Sequence, residues 1–113
     1  MKVTRFKDAP RYDAPRHHGF IGLRLQGFDA DGPKNQWVGI SHFLPGGGAE
    51  PESSPWEKVY VCLAGAISVV INGEEILLNT MDSMTVAPNE AREIINRGND
   101  VATTLVVMPY PPA

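Results

Sequence analysis

The dipeptide Asn72-Gly73 lies between two short apolar runs, Val69–Ile71 and Glu75–Leu77. Both residues tolerate positive φ, which a two-residue type I′ turn requires, so this pattern is a strong signal for an antiparallel hairpin. We therefore predict a tight turn at Asn72-Gly73 between two paired strands.

Other short apolar or alternating runs follow along the chain between clusters of Gly, Pro, Asn and Asp, and no long run has the apolar spacing of a helix. Eight short strands in 113 residues predict one all-β barrel or sandwich domain spanning residues 1–113. The predicted strands are Phe20–Phe28, Gln36–Leu44, Lys58–Leu63, Ala66–Ile71, Glu75–Leu78, Ser83–Ala87, Arg92–Ile95 and Ala102–Met108.

Three segments are predicted to lie outside these strands. Residues 1–19 contain two prolines and several basic residues, and we expect an N-terminal arm that lies over the barrel or reaches a neighbouring copy. Residues 109–113 are rich in proline, which cannot donate to a sheet, and should form an extended tail. Gly46-Gly47-Gly48 lacks the lysine of a phosphate-binding loop and is interpreted as a flexible turn.

Composition excludes several classes of function. The net charge is −3 with scattered basic residues, which argues against a nucleic-acid surface. No segment has the length of apolar sequence that a membrane span needs, and the N-terminus lacks the features of a secretory signal. We expect a cytoplasmic protein whose partners are small molecules or proteins. The single cysteine, Cys62, is predicted to be a buried strand residue.

Two stretches of the sequence resemble the conserved motifs of the cupin superfamily. The first is Pro45–Gly48 followed by Trp56–Gly73, and the second is Asp82–Asn96, which has a proline before a turn and an asparagine after the next strand. The resemblance implies a double-stranded β-helix, also called a jelly-roll barrel. It also implies a homodimer, because an open barrel protects its sheet edges by pairing with a second copy.

The metal ligands of that superfamily are replaced in this sequence. Its first motif supplies two histidines and a glutamate, and its second motif supplies another histidine. Spacing places Lys58 at the position of the glutamate and Arg92 or Glu93 at that of the last histidine. The first two histidines fall on Glu52 and Ser54, or one residue earlier. Positive charge at these positions opposes a cation, so no cofactor is predicted. A divalent metal would need a substitute set drawn from Glu50, Glu52, Glu57, Glu93 and His42.

Alternation along the strand predicts that Lys58 and Tyr60 face the same side, toward Arg92 from the second motif. Together they could hold a small anion. Alternatively, the charged residues form structural ion pairs at the barrel mouth. His17 and His18 are expected to face solvent or an interface. The complete predicted ligand pocket consists of Lys58, Tyr60, Arg92, His42, Glu52, Glu93 and Trp56.

Three functions are compatible with this pattern. The first is a metal-independent cupin that binds a small molecule, most simply a carboxylate. The second is a metal-dependent isomerase, dioxygenase or lyase acting on a small carboxylated, sugar or aromatic substrate. The third is a structural dimer with a vestigial pocket. Fold alone does not choose among them.

Overall fold

The computed structural model describes residues 1–110 and confirms the all-β prediction. Besides a short 3-10 helix at Phe6–Asp8, the regular secondary structure of the described chain consists of strands. These are β1 (Arg11–Tyr12), β2 (His17–Gln26), β3 (Gln36–Glu52), β4 (Lys58–Ala64), β5 (Ile67–Ile71), β6 (Glu74–Leu78), β7 (Ser83–Val86), β8 (Arg92–Ile95) and β9 (Ala102–Pro109).

The long strand β3 belongs to both layers of the barrel. Its first half pairs with β2 on one side and β9 on the other, and β9 continues through β4 to β7. Its second half pairs with β8, which continues through β5 to β6. The two layers face each other and enclose one core, as in a jelly-roll barrel.

The predicted hairpin at Asn72-Gly73 is confirmed. Asn72 has a φ of 53° and Gly73 a φ of 76°, and Ile71 pairs with Glu74 across the turn. Positive φ at both central residues is the type I′ geometry, whose twist matches that of the flanking strands.

The interpretation of Gly46-Gly47-Gly48 as a flexible turn is wrong, because these glycines lie inside β3 at the point where it passes between layers. Gly46 N donates to Asn96 O over 2.9 Å, and Asn96 N donates to Gly47 O over 2.8 Å. Asn96 is 1% exposed, and its Nδ2 also donates to Phe43 O and Asp100 O. The glycines therefore allow close contact between backbones at a fixed corner.

The N-terminal arm is tied to the barrel. Tyr12 of β1 pairs with Gly22 of β2, and β2 begins at His17 inside the segment predicted as an arm. At the very start of the chain, Gln26 Nε2 donates to Lys2 O over 3.2 Å. The arm thus joins the sheet of the barrel through β1.

The predicted tail differs from the structure at its start, because Pro109 is the last residue of β9 and pairs with Gln36. An end position tolerates proline, since its missing N–H removes no interior ladder bond. Tyr110 follows, and its hydroxyl donates to Pro33 O over 2.6 Å. Residues 111–113 lie outside the described part of the chain.

The core lies between the two layers of the barrel. Its largest fully buried side chains are Phe43, Ile67, Val69, Asn96 and Cys62, and Cys62 is buried as predicted. Among residues 1–110, no helix has the length and apolar character to cross a membrane. A cavity opens between the layers beside this core, and Phe43, Tyr60 and Ile94 belong to both.

Candidate functional site

A cavity of about 390 Å³ lies between the two layers of the barrel. This volume is within the usual range of small-molecule sites. Its lining residues come from β1 and the segment after it, from β2, β3, β4, β8 and β9, and from the loop between β2 and β3. They are Tyr12, Asp13, Ala14, Pro15, His17, Arg24, Phe28, Trp37, Ser41, Phe43, Glu52, Lys58, Tyr60, Arg92, Ile94, Thr104, Val106 and Met108.

One wall of the cavity is charged. Lys58 and Tyr60 project from β4, as strand alternation requires, and Arg92 and Glu52 come from the paired positions of β8 and β3. The Arg92 side chain is buried, with the residue only 5% exposed. Its Nε donates to Tyr60 Oη over 2.9 Å and its Nη1 to Glu50 O over 3.2 Å.

The ion pairs that form among residues 1–110 use neither Arg92 nor Lys58. Burial lowers the pKa of Lys58, the nearby Arg92 charge lowers it further, and Glu52 opposes both. The charged wall therefore combines two cations with one nearby carboxylate, and its charge is only partly balanced.

The opposite wall is aromatic and depends on glycines. Trp37 of β3 lies across Gly27 and Gly39, and a Cβ at Gly27 would approach the indole Cδ1 to 2.6 Å. The ring of Tyr12 meets Trp37 edge-on, with centroids 5.0 Å apart. Burial raises the pKa of Tyr12, its interaction with Ser41 lowers it, and nearby Tyr60 raises it. Tyr12 consequently stays a neutral phenol at the cavity wall.

His17 was expected to face solvent or an interface, but its half-buried ring lines the cavity. Its Nδ1 donates to Pro15 O over 2.9 Å, which leaves Nε2 as the acceptor of the neutral ring. Burial lowers the pKa of His17, Arg92 and Lys58 act in the same direction, and Pro15 and Glu52 oppose them. The adjacent His18 is exposed, since strand alternation turns it away.

The lowered pKa of His17 predicts a specific loss of stability in acid. Between the pKa values of the unfolded and folded states, the unfolded chain binds the proton first, so the free energy of unfolding falls as pH decreases through this window. Denaturant unfolding at pH 7.5 and at successively lower pH should show a smaller decrease for His17→Gln than for wild type. The difference should stay below about 1 kcal/mol, because solvent screens a half-buried group. The exposed control His18→Gln should behave like wild type, and equal acid sensitivity of His17→Gln would contradict the assignment.

Three residues of the predicted pocket lie elsewhere. His42 projects from the outer face of β3, between the cavity-lining Ser41 and Phe43, and its Nδ1 is 2.9 Å from Thr103 Oγ1. Glu93 leaves the opposite face of β8 from Arg92, near Arg97. Trp56 precedes β4 and is half-buried outside the cavity.

The residues present do not fit the divalent metal that the resemblance to cupins implies. Glu57 is exposed, and Glu50 forms a surface ion pair in which Arg16 Nε lies 3.0 Å from its Oε2. With His42 and Glu93 also outside the cavity, the substitute ligand set is dispersed. Residues 1–110 contain no group of three or more His, Cys, Asp or Glu side chains that could hold a metal.

Sequence reasoning missed the contributions of Tyr12, Asp13, His17 and Arg24. The available signal was the Gly22 position, because a strand glycine often marks the close approach of another group. A Cβ at Gly22 would lie 2.8 Å from the Tyr12 ring. Nothing local in the sequence identifies which ring fills that space.

Comparisons with known proteins agree with this architecture. The chain is 44% identical over 113 residues to the protein named β-D-galactosidase Rv1717 of Mycobacterium tuberculosis (strain H37Rv), covering 100% of this chain and 97% of the relative. The polyketide cyclase RemF from Streptomyces resistomycificus shares the fold with a TM-score of 0.87 at 19% identity, over 99% of this chain and 82% of that one. A sugar phosphate isomerase of the cupin superfamily from Silicibacter pomeroyi gives 0.82 at 21% identity, over 99% and 77%.

Residues 39–108 match the sequence model of the cupin domain. The matched range includes the two motifs and the charged wall of the cavity. The double-stranded β-helix implied by the motifs is thereby confirmed together with the antiparallel two-layer barrel. This chain belongs to the cupin domain family.

Proposed function

We propose that this chain binds a small anionic organic molecule, most simply a carboxylate, in the cavity and without a divalent metal. The observation that carries the proposal is the buried Arg92 guanidinium, which faces the cavity beside Lys58 and takes part in no ion pair among residues 1–110. A buried cation without a counter-charge is costly, and a bound anion supplies that charge.

Arg92 is suited to this role by its remaining donors. Nε and Nη1 are used by Tyr60 and Glu50, while Nη2 has no protein partner in the described chain. No buried side-chain nitrogen or oxygen of residues 1–110 lacks a partner, so Nη2 is accessible from the cavity. A planar guanidinium held on one side presents its free edge to a carboxylate in a fixed direction.

Calorimetric titration with a panel of small carboxylates tests the proposal, with the corresponding primary amides as neutral controls. We expect carboxylates to bind and their amides not to bind, because only the anions neutralise the cationic wall. A chelator such as EDTA should leave the affinity unchanged. The proposal fails if no carboxylate binds, or if binding disappears in EDTA and returns on addition of Zn²⁺ or Mn²⁺.

The relative named β-D-galactosidase favours a second candidate function, hydrolysis of a β-galactoside. Hydrolysis of a glycosidic bond commonly uses two carboxyl groups, one to protonate the leaving oxygen and one to act as base or nucleophile. Asp13 and Glu52 are the carboxyl groups among the cavity-lining residues of the described chain. Glu52 lies beside Lys58 and is the candidate for the base or nucleophile.

Release of nitrophenolate from 4-nitrophenyl β-D-galactopyranoside tests this second candidate. We expect Glu52→Gln to lower kcat by about 100-fold or more, which is the usual contribution of a proton-transferring side chain. The exposed Glu57→Gln is the matched control and should retain the wild-type rate. Absence of turnover, or full activity of Glu52→Gln, would rule out this mechanism and leave the binding function in place.

A further inference from the structure

The Tyr60 hydroxyl has an unusual position for a buried phenol. Tyr60 is 4% exposed and lines the cavity, and the hydrogen bond that the structure gives its Oη is donated by Arg92 Nε over 2.9 Å. A guanidinium has donors only, so the phenol oxygen is necessarily the acceptor in this pair. The Tyr60 O–H hydrogen must therefore point toward a different acceptor.

Residues 1–110 do not supply that acceptor. Within residues 1–110, no hydrogen bond is donated by Tyr60 Oη, although Tyr110 Oη in the same chain both accepts from Phe28 N and donates to Pro33 O. A buried tyrosine hydroxyl normally donates one hydrogen bond as well as accepting one. The direction left for the Tyr60 hydrogen is the cavity that the residue lines.

The partner that orients Tyr60 is itself fixed. Arg92 pairs with Glu52 and Ile71 through its backbone, and its Nη1 donates to Glu50 O over 3.2 Å. Tyr60 projects from β4, which pairs with β7 and β9 on either side. Both side chains therefore start from paired strands, and their relative orientation is set before any ligand binds.

We infer that Arg92 positions the Tyr60 hydroxyl so that its O–H group donates to an anionic oxygen of the bound molecule. The inference rests on the proposed binding of an anion and adds the chemistry of its recognition. Tyr60, Arg92 Nη2 and Lys58 are the donors of this wall, and Glu52 is its carboxylate. The group that these three donors bind is an acceptor-only anion such as a carboxylate.

Titration of wild type and Tyr60→Phe with acetate, chloroacetate and dichloroacetate tests the inference. The oxygens of these acids become progressively weaker hydrogen-bond acceptors, while the net charge of the anion stays the same. We expect Tyr60→Phe to bind acetate about tenfold or more weakly, as for the loss of a hydrogen bond to a charged group. The ratio of wild-type to variant affinity should decrease from acetate to dichloroacetate.

The position of Arg92 in the variant separates recognition from a structural effect. A crystal structure of Tyr60→Phe in which Arg92 has lost its hydrogen bond to Glu50 O would assign the weaker binding to displacement of Arg92 and would overturn the inference. Equal weakening of all three anions would overturn it as well. Equal affinities of wild type and Tyr60→Phe would also overturn it, while the proposed anion binding would stand. Tyr110→Phe is the matched control, because that hydroxyl donates to Pro33 O outside the cavity, and it should change affinity less than about twofold. If wild type binds none of the three acids, the proposed function and this inference both fail.

Discussion

Replacing Arg92 by alanine should weaken carboxylate binding by about 2 to 5 kcal/mol, the cost expected when one partner of a buried charge pair is removed. The loss is expected to be large because Arg92 is the most deeply buried cation at the cavity, and water cannot replace its charge. Lys58 is half-buried and would remain, so some attraction for the anion should persist.

The fold should survive this change, because Arg92 stabilises the protein through two hydrogen bonds and through no ion pair of the described chain. Arg92→Met offers a second test with similar volume, since replacing a buried charge by an apolar side chain is often neutral for stability. Arg97→Ala is the charge-matched control: it removes an exposed arginine whose Nη2 lies 2.7 Å from Glu75 Oε1.

Calorimetric titration and thermal unfolding of these variants together test whether Arg92 contributes to anion binding, to stability or to both. We expect Arg92→Ala and Arg92→Met to remain folded and to bind carboxylates weakly, while Arg97→Ala binds like wild type. If both Arg92 variants keep wild-type affinity, the cationic wall does not bind the anion. If Arg97→Ala weakens carboxylate binding equally, the affinity depends on the net charge of the protein and not on Arg92 in particular.

The local features of this fold could be predicted from the sequence because they depend on neighbouring residues. The Asn72-Gly73 turn follows from two residues that tolerate positive φ, and the alternation of Lys58, Tyr60 and Cys62 follows from strand geometry. Spacing from the second motif predicted a charged residue near them, and Arg92 occupies that position.

The remaining parts depend on contacts between distant segments. Both faces of β3 carry large side chains, so alternation alone could not show that Phe43 faces inward and His42 outward. His17 lies in a segment whose prolines indicate a loop, yet it pairs with Ala49 because β2 follows β3 around the corner. The corner itself was missed because three consecutive glycines are equally typical of a flexible turn.

That corner gives the second large expected effect: Gly48→Ala should lower the free energy of unfolding by about 3 kcal/mol or more, as overpacking against an immobile backbone does. Gly48 lies between two strands, since it pairs with His18 on β2 and with Ile95 on β8. A Cβ there would overlap the Ile94 carbonyl oxygen and lie 3.3 Å from Ile95 Cα. Backbone atoms cannot rotate away as the end of a flexible side chain can, so the two layers must separate at this point.

Gly46→Ala, two residues earlier, is the matched control because it tests conformation without a clash. Gly46 has a φ of 80° and no atom within 4 Å of the added Cβ, so alanine should cost only the left-handed strain of about 1 to 2 kcal/mol. Denaturant unfolding of both variants separates the two causes. A Gly48→Ala protein no less stable than Gly46→Ala would show that the corner can open. The backbone contact between Gly48 of β3 and Ile94 of β8 would then contribute little to stability.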